Sequence, residues 1–246
     1  MSGPLPPPER KAAFVREMFG RIAGSYDLMN RLISLGRDRA WRRHAVAQVM
    51  NPVDPGEESR TCRILDVATG TGDLALEAFR QGQGCQIVGL DFVPEMLVQA
   101  RQKARQERAG LEWLMGDALW IPCADGAFDA VVTGFALRNV TDIRAVFAEM
   151  ARVTRPGGRI ACLEMARPRL PLFRQLFAWY FYRLVPLLGQ WLAGQRLAYT
   201  YLPHSLSAFL SPDEIADVMR QSGWGQVQYR RLMMGTVAVH VGVRVP

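Results

Sequence analysis

Hydrophobic and polar positions change their period several times along the chain. Over residues 9–22, Phe14, Met18 and Ile22 recur at helical spacing with Val15 and Phe19 beside them, which predicts an amphipathic helix. Gly24-Ser25-Tyr26-Asp27 interrupts that pattern, and Asp38 is placed to cap a following helix that carries Trp41, Ala45 and Val49. The stretch 51–60, NPVDPGEESR, has the composition of a loop. From Arg63 onward, short apolar runs at 63–67, 86–90, 111–115, 128–133 and 159–164 predict five strands. Helical patterns beginning near Leu74 and covering 94–108 and 143–153 lie between them, and Arg155-Pro156-Gly157-Gly158 predicts a turn before the fifth strand. Two last strands, 226–231 and 233–244, are joined by a glycine-containing turn. Strands alternating with helices predict an α/β fold built on a doubly wound, mostly parallel sheet. No internal repeat is found.

This pattern divides the chain into four parts. Residues 1–60 form a disordered lead-in and an N-terminal helical lid, and 61–169 form the ligand-binding core. Residues 170–211 form a helical, aromatic-rich insertion, and 212–246 supply a C-terminal helix and strands that complete the core. Within the insertion, 170–202 read LPLFRQLFAWYFYRLVPLLGQWLAGQRLAYTYL. Such an insertion is expected over the carboxyl end of the sheet, where open α/β folds bind their ligands.

Composition adds exclusions. At 246 residues the chain is long enough for one α/β domain. Its longest apolar stretches are broken by Arg, Gln or Gly before they reach ~18–20 residues, so no spanning helix is expected. The opening MSGPLPPPER has no apolar core of the signal-peptide kind, and the cytoplasm is the expected location. Cys62, Cys85, Cys123 and Cys162 form no C-x-x-C pair and read as small core residues in a reducing compartment, not as a disulfide frame. His44, His204 and His240 have no metal-ligand spacing, and no metal is expected. The formal charge is +7, with Lys11 and Lys103 the two lysines among 30 basic residues. No run of five basic residues occurs, so nucleic acid is not expected as a partner, whereas contact with an anionic membrane surface stays open.

The candidate ligand site begins at Asp66-Val67-Ala68-Thr69-Gly70-Thr71-Gly72-Asp73, which leaves a strand and opens a helix. Glycine suits this turn because a Cβ would hold the backbone away from a ligand. Gly70-x-Gly72-x-x-Ala75 satisfies the dinucleotide fingerprint too, and Asp91 could hold ribose hydroxyls in either case. Two features separate the cases. Asp66 precedes the glycines, where a carboxylate suits a cationic aminoacyl group better than a pyrophosphate. Asp117, in Gly116-Asp117-Ala118, can accept a hydrogen bond from an adenine amino group. Each aspartate taken alone is a good turn former or helix cap. Three at consecutive strand ends fit S-adenosylmethionine, which carries a sulfonium and an ammonium and no phosphate.

The segments DVATGTGDLA, GLDFVPEML, GDALWIPCADGAFDAVVTGFALRNVTD and RVTRPGGRIACLEMARP follow in order. With MFGRIAGSYDLMNRLISLGRDRAWRR before them and YTYLPHSLSAF and MMGTVAVHVG after, the chain resembles the quinone-pathway C-methyltransferases from about Val15 to Val243. That family comprises demethylmenaquinone methyltransferase and its ubiquinone-pathway relative. Leu137-Arg138-Asn139-Val140 and IAGSYDLMN are the specific pieces, while Gly-Asp-Ala and Pro-Gly-Gly are generic to methyltransferases. The resemblance implies a Rossmann-like class I methyltransferase fold. It implies binding of S-adenosylmethionine by Asp66, Gly70, Thr71, Gly72, Asp91, Asp117, Ala118 and Gly134. Ala68 stands where many methyltransferases have the first glycine, and Gly134 where relatives often have serine.

Arg138 and Asn139 lie just past the fourth strand, where donor and acceptor should meet. Arginine can hold a phenolate, and asparagine offers both a donor and an acceptor for orientation. Tyr26 is expected to reach the site from the lid, and His204 is a candidate base whose alternative is a loop histidine. The implied reaction is methylation of a ring carbon of a prenylated quinol, demethylmenaquinol before a ubiquinone-pathway benzoquinol on the wording of GLDF and VTGFALRNV. Residues 170–202 then either wall a polyprenyl tail and rest on a membrane, or cap the core and pair two copies in a homodimer. Other readings are a methyltransferase for another small hydrophobic acceptor and a noncatalytic cofactor-binding subunit. A nicotinamide-dependent oxidoreductase is disfavoured, since no Tyr-x-x-x-Lys pair is recognised.

Overall fold

The computed structural model describes residues 6–50, 61–82, 84–187, 189, 201 and 204–246. The expected lead-in at 1–5, the loop at 51–60 and most of 188–203 lie outside the described residues. Seven strands form one sheet: β1 (Arg63–Val67), β2 (Gln86–Asp91), β3 (Glu112–Met115), β4 (Phe128–Gly134), β5 (Thr154–Met165), β6 (Trp224–Leu232) and β7 (Val237–Arg244). Their spatial order is β3-β2-β1-β4-β5-β7-β6. β1 to β5 pair in parallel and β7 runs antiparallel to both neighbours. Strand order reverses between β1 and β4, which opens a crevice at their carboxyl ends, where such sheets bind ligands.

The central parallel strands β1, β2 and β4 are buried on both faces, so β4 reads as an unbroken apolar run apart from Asp129 and Thr133. Helices α4 (Asp73–Gln81), α5 (Pro94–Gln106) and α6 (Ile143–Val153) make the crossovers. Pro94 opens α5 with its preset φ, and Asp142 caps α6 by accepting from the Ala145 amide. After the insertion, Ser211 and Glu214 form a capping box that starts α8 (Pro212–Gln221).

Above the crevice lie α1 (Pro8–Ile22), α2 (Tyr26–Ile33), α3 (Asp38–Ala47) and α7 (Pro171–Trp179), the last continuing as a single π turn over Tyr180–Leu184. Met18, Ile22 and Met29 of α1 and α2 pack with Met96 of α5 and with Phe181 and Val185 beyond α7. The N-terminal helices and the insertion thus share a small core of their own over the strand ends.

Four sequence expectations need correction. Asp38 is not a cap: Arg37 holds that position without a side-chain bond, and the buried Asp38 carboxylate accepts from Ser34 Oγ at 2.9 Å and from Arg42. β5 begins at Thr154, because the Pro-Gly-Gly segment bulges inside the strand, Phe128 pairing with Thr154 but Ala130 with Arg159. Met233 and Met234 belong to a tight turn with positive φ, and β7 starts at Val237. Cys62 and Cys85 are disulfide-bonded with Cα atoms 4.5 Å apart. They precede β1 and β2, whose register pairs Arg63 with Gln86, so the sheet brings together thiols separated by 23 residues.

Candidate functional site

The turn after β1 is held by its own backbone. The Thr69 amide donates to Leu90 O at 2.9 Å, and the Gly70 amide donates to Asp91 Oδ2 at 2.7 Å. Asp91 Oδ1 accepts from the Val93 amide at 2.9 Å, so one carboxylate fixes two turns at the end of β2. Gly70 has φ +56° and a Cβ there would point into open space, whereas a Cβ on Gly72, at φ +82°, would stand 2.7 Å from the Trp113 ring. Glycine is needed at the first position to leave the crevice open and at the second to let the chain turn. Ala68 takes φ +55°, the left-handed region that glycine favours. Phe135, across the crevice, has φ +58°, so two non-glycine residues of one site are held in a costly conformation.

The resulting cleft has a volume of about 90 Å³. Gly70, Asp91, Asp117, Ala118, Gly134, Asn139 and Tyr26 line it, with Ala68 and the α1 residues Val15 and Phe19. Three other expected residues stand behind that wall. Asp66 is fully buried and accepts from Thr69 Oγ1 at 2.5 Å and from the Ala75 amide at 2.9 Å. Its second oxygen has no partner, and burial pushes its pKa up to about 7. Thr71 turns to α2, donating to Asp27 Oδ1 at 2.5 Å, and Lys103 Nζ joins them at 2.8 Å from Asp27 Oδ2. Gly72 shapes the turn.

A second, larger cavity of about 320 Å³ adjoins the first, with Phe135 lining both. Its walls are apolar (Ile33, Trp41, Met165, Phe173, Phe177 and Phe181 among them), and Arg138 lines it rather than the first cleft. Arg138 is buried with Nη1 3.2 Å from Glu164 Oε2, and its Nε has no partner. Glu164 Oε1 accepts from the Leu137 amide at 2.7 Å. Burial raises the Glu164 pKa, and Arg138 opposes that rise. Asn139 donates weakly to Phe135 O at 3.4 Å and keeps a buried, unpartnered Oδ1. Burial also raises the Tyr26 pKa against the attraction of Asn30, Arg138 and Arg42, so its phenol stays protonated at neutral pH. His204 lines neither cavity, and its ring lies against Tyr182. His240 is buried in the sheet, bonded to Pro212 O, with a pKa lowered to about 4 by burial.

A family model described as the ubiE/COQ5 methyltransferase family matches residues 8–244. The chain belongs to the ubiE/COQ5 methyltransferase family. Demethylmenaquinone methyltransferase of Roseiflexus sp. strain RS-1 is 47% identical over 241 residues, covering 98% of this chain and 97% of that one. A ubiquinone/menaquinone biosynthesis C-methyltransferase of Desulfotalea psychrophila is 40% identical, covering 95% and 92%. Among solved structures, a SAM-dependent methyltransferase of Thermotoga maritima superposes with TM-score 0.62 at 16% identity, covering 93% of this chain and 99% of that one. That likeness gives the class I methyltransferase fold.

In this methyltransferase, the sequence pattern assigns no site position to Glu164, Arg42 or Phe135 and reads Asp38 only as a cap, yet Asp38, Arg42 and Phe135 line the second cavity and Glu164 pairs with its Arg138. A signal existed for Glu164, which ends the fifth strand as Asp66 and Asp91 end the first two. None pointed to a cavity for Asp38 and Arg42, since Asp38 has the look of a cap and the i, i+4 spacing reads as an ordinary surface ion pair.

Proposed function

We propose that this methyltransferase moves a methyl group from S-adenosylmethionine to a ring carbon of a prenylated quinol, demethylmenaquinol being the preferred acceptor. The reading rests chiefly on two adjoining cavities, one at the strand ends with Asp91 and Asp117 in its otherwise largely apolar wall and one larger and apolar, meeting at Phe135 beside a buried arginine. The names of the relatives at 47% and 40% identity support the acceptor class. A benzoquinol of the ubiquinone pathway is the second reading, supported by the name of the Desulfotalea relative.

The first cleft suits the cofactor. Gly70 leaves open the space a side chain would fill, and Asp91 and Asp117 face that space with carboxylates. The unpartnered oxygen of Asp66 lies beneath it, where a cationic ligand would hold the group ionised. We assign ligand contact to Gly70, Asp91, Asp117, Ala118 and Gly134, and support of the turn to Asp66, Thr71 and Gly72. When bound, S-adenosylmethionine supplies an electrophilic methyl group on a sulfonium. Arg138 holds the oxygen that becomes a phenolate, and the low dielectric of a covered cavity strengthens that interaction. Tyr26 and Asn139 line the donor cleft and orient the ring.

The apolar cavity opens outward. Leu35, Leu176 and Trp179 line it and are also 71%, 59% and 58% exposed, which marks its mouth. Leu172 is 81% exposed nearby, and Arg174 and Arg183 are exposed on the same segment. This face supports peripheral contact with an anionic bilayer from which the prenyl tail enters, with a homodimer through it as the alternative. No helix among the described residues is long and apolar enough to cross a membrane.

The test is transfer of labelled methyl from S-adenosylmethionine to short-chain demethylmenaquinol and to a benzoquinol, both kept reduced. Faster transfer to the naphthoquinol supports the first reading, and the reverse order favours the second. Tight cofactor binding with transfer to neither would overturn the acceptor class.

A further inference from the structure

Carbon methylation of a quinol requires that a hydroxyl proton leave, and few groups in the apolar cavity can receive it. Its polar lining comprises Asn30, Ser34, Asp38, Arg42, Arg138, Tyr180 and Thr236. Arg42 and Arg138 are cations. The Tyr180 hydroxyl donates to Ile33 O at 3.1 Å and its pKa is raised by burial, and Thr236 donates to Met233 O at 3.0 Å. Ser34 donates to Asp38, and Asn30 is a neutral amide. Glu164 sits behind Arg138 and outside the lining. His204, the base considered from the sequence, is outside it as well. One anionic acceptor remains among the described lining residues.

We propose that Asp38 is the base of the reaction, its carboxylate taking the hydroxyl proton of the quinol in the apolar cavity. The inference rests on the quinol reading above. Asp38 is 6% exposed, oriented by Ser34 from α2 and paired with Arg42 one turn along its own helix. Arg42 also reaches Asp73 of α4 at 3.3 Å, which joins the base to the first residue after the cofactor turn. Both Arg42 and Arg138 act on the Tyr26 phenol, a wall of the donor cleft, so the charged end of the acceptor cavity is the end that faces the donor.

The step balances without any further reagent. The quinol O–H bond breaks, its proton goes to an Asp38 oxygen, and its electron pair delocalises into the ring. The ortho ring carbon forms a bond to the methyl carbon as the methyl–sulfur bond breaks, that pair staying on sulfur. The ring carbon then releases its hydrogen to water as a proton, the C–H pair restores aromaticity, and the oxygen recovers a proton from Asp38. One methyl is gained, one proton is released, and nothing is oxidised.

The experiment compares wild type with Asp38→Asn, Asp38→Glu and Asp38→Ala in methyl transfer to short-chain demethylmenaquinol from pH 5.5 to 9.5, alongside S-adenosylmethionine affinity. General bases contribute roughly 10²–10⁴-fold, so Asp38→Asn should lower kcat by at least about 100-fold while cofactor affinity stays within about threefold. Its loss should shrink as pH rises and the quinol ionises unaided. The charged groups facing Asp38 (Arg42, Arg138 and, through Arg42, Asp73) are untouched by that change. Asp38→Glu should keep a substantial rate, and added acetate should rescue Asp38→Ala. Should Asp38→Asn fold poorly, acetate rescue of the alanine variant decides alone. An asparagine variant within threefold of wild type at every pH, or an alanine variant that folds and ignores acetate, would overturn the assignment. Wild type inactive on every quinol would instead remove the reading on which it rests.

Discussion

Arg138 and Glu164 form a buried pair of opposite charges, where breaking a pair costs more than the pair contributes. Arg138→Ala strands a buried carboxylate, and such losses run to roughly 3–5 kcal/mol. Activity of that variant alone therefore mixes folding with chemistry. Burial already raises the Glu164 pKa, and without Arg138 it rises further, so the variant's stability falls as pH rises through that value. We predict that Arg138→Ala melts well below wild type at pH 8, with the gap narrowing in acid, and that adding Glu164→Gln restores stability but not methyl transfer. Thermal melts and rates on the same samples check this. Asp66 gives a second pH signature. Its pKa of about 7 means that the ligand-free protein binds a proton the unfolded chain has lost, so stability declines as pH rises toward and through 7. A cationic ligand favours the ionised form, so cofactor affinity should rise several-fold from pH 6 to 8. Calorimetry of Asp66→Asn should give a weaker and flatter profile; an unchanged slope would place the titration elsewhere.

Besides their shared apolar core, the elements that cover the cleft are tied to it by a polar cluster. Lys103 of α5 bonds Asp27 of α2, Thr71 of the cofactor turn and Asp73 of α4. Partly exposed pairs contribute about 1 kcal/mol or less, so this latch weighs little in global stability. On the proposal that α1 and α2 act as a lid, it sits where that lid parts for ligand exchange. We predict that Lys103→Met shifts the melting temperature by only a few degrees yet speeds S-adenosylmethionine dissociation roughly tenfold in stopped-flow exchange. Such ties were not legible in the sequence, which carries period and turn chemistry but not tertiary neighbours. Residues 63–67 and 143–153 came out with their bounds intact because an apolar run and a capped amphipathic face are local signals. The positions of Asp66, Asp91 and Asp117 at or just past strand ends were legible because strand ends are, but only Asp91 and Asp117 line the cleft, with Asp66 buried behind it. The start of β5, the turn at Met233 and the Cys62–Cys85 pair depend on register between distant strands, and there local reasoning failed. Asp38 was noticed and misassigned, since a cap and a buried acid beside Ser34 look alike without the cavity.

At the scale of the molecule, polar chemistry gathers on the sheet side and exposed apolar surface at the mouth of the larger cavity. Leu35, Leu172, Leu176 and Trp179 are all more than half exposed there, beside Arg174 and Arg183 in a chain of net charge +7. On the proposal that the acceptor's tail lies in a bilayer, this rim is where it would be drawn in. Fully burying such a side chain contributes about 1.5–3 kcal/mol, so covering several partly exposed ones is of the size that docks a face reversibly on lipid. On this reading, Leu172→Glu with Trp179→Glu should leave transfer to a short-chain, water-soluble quinol within about twofold of wild type. Transfer to a long-chain quinol embedded in phosphatidylglycerol vesicles should fall at least tenfold, and sedimentation with those vesicles should be lost. Raising salt should weaken vesicle binding by wild type only partly, since screening removes the arginine attraction and leaves the apolar contribution. Equal losses on both substrates would mean that the face shapes the cavity instead. Full retention on both, with a change from dimer to monomer in sedimentation velocity, would assign the exposed rim to a second copy of the chain.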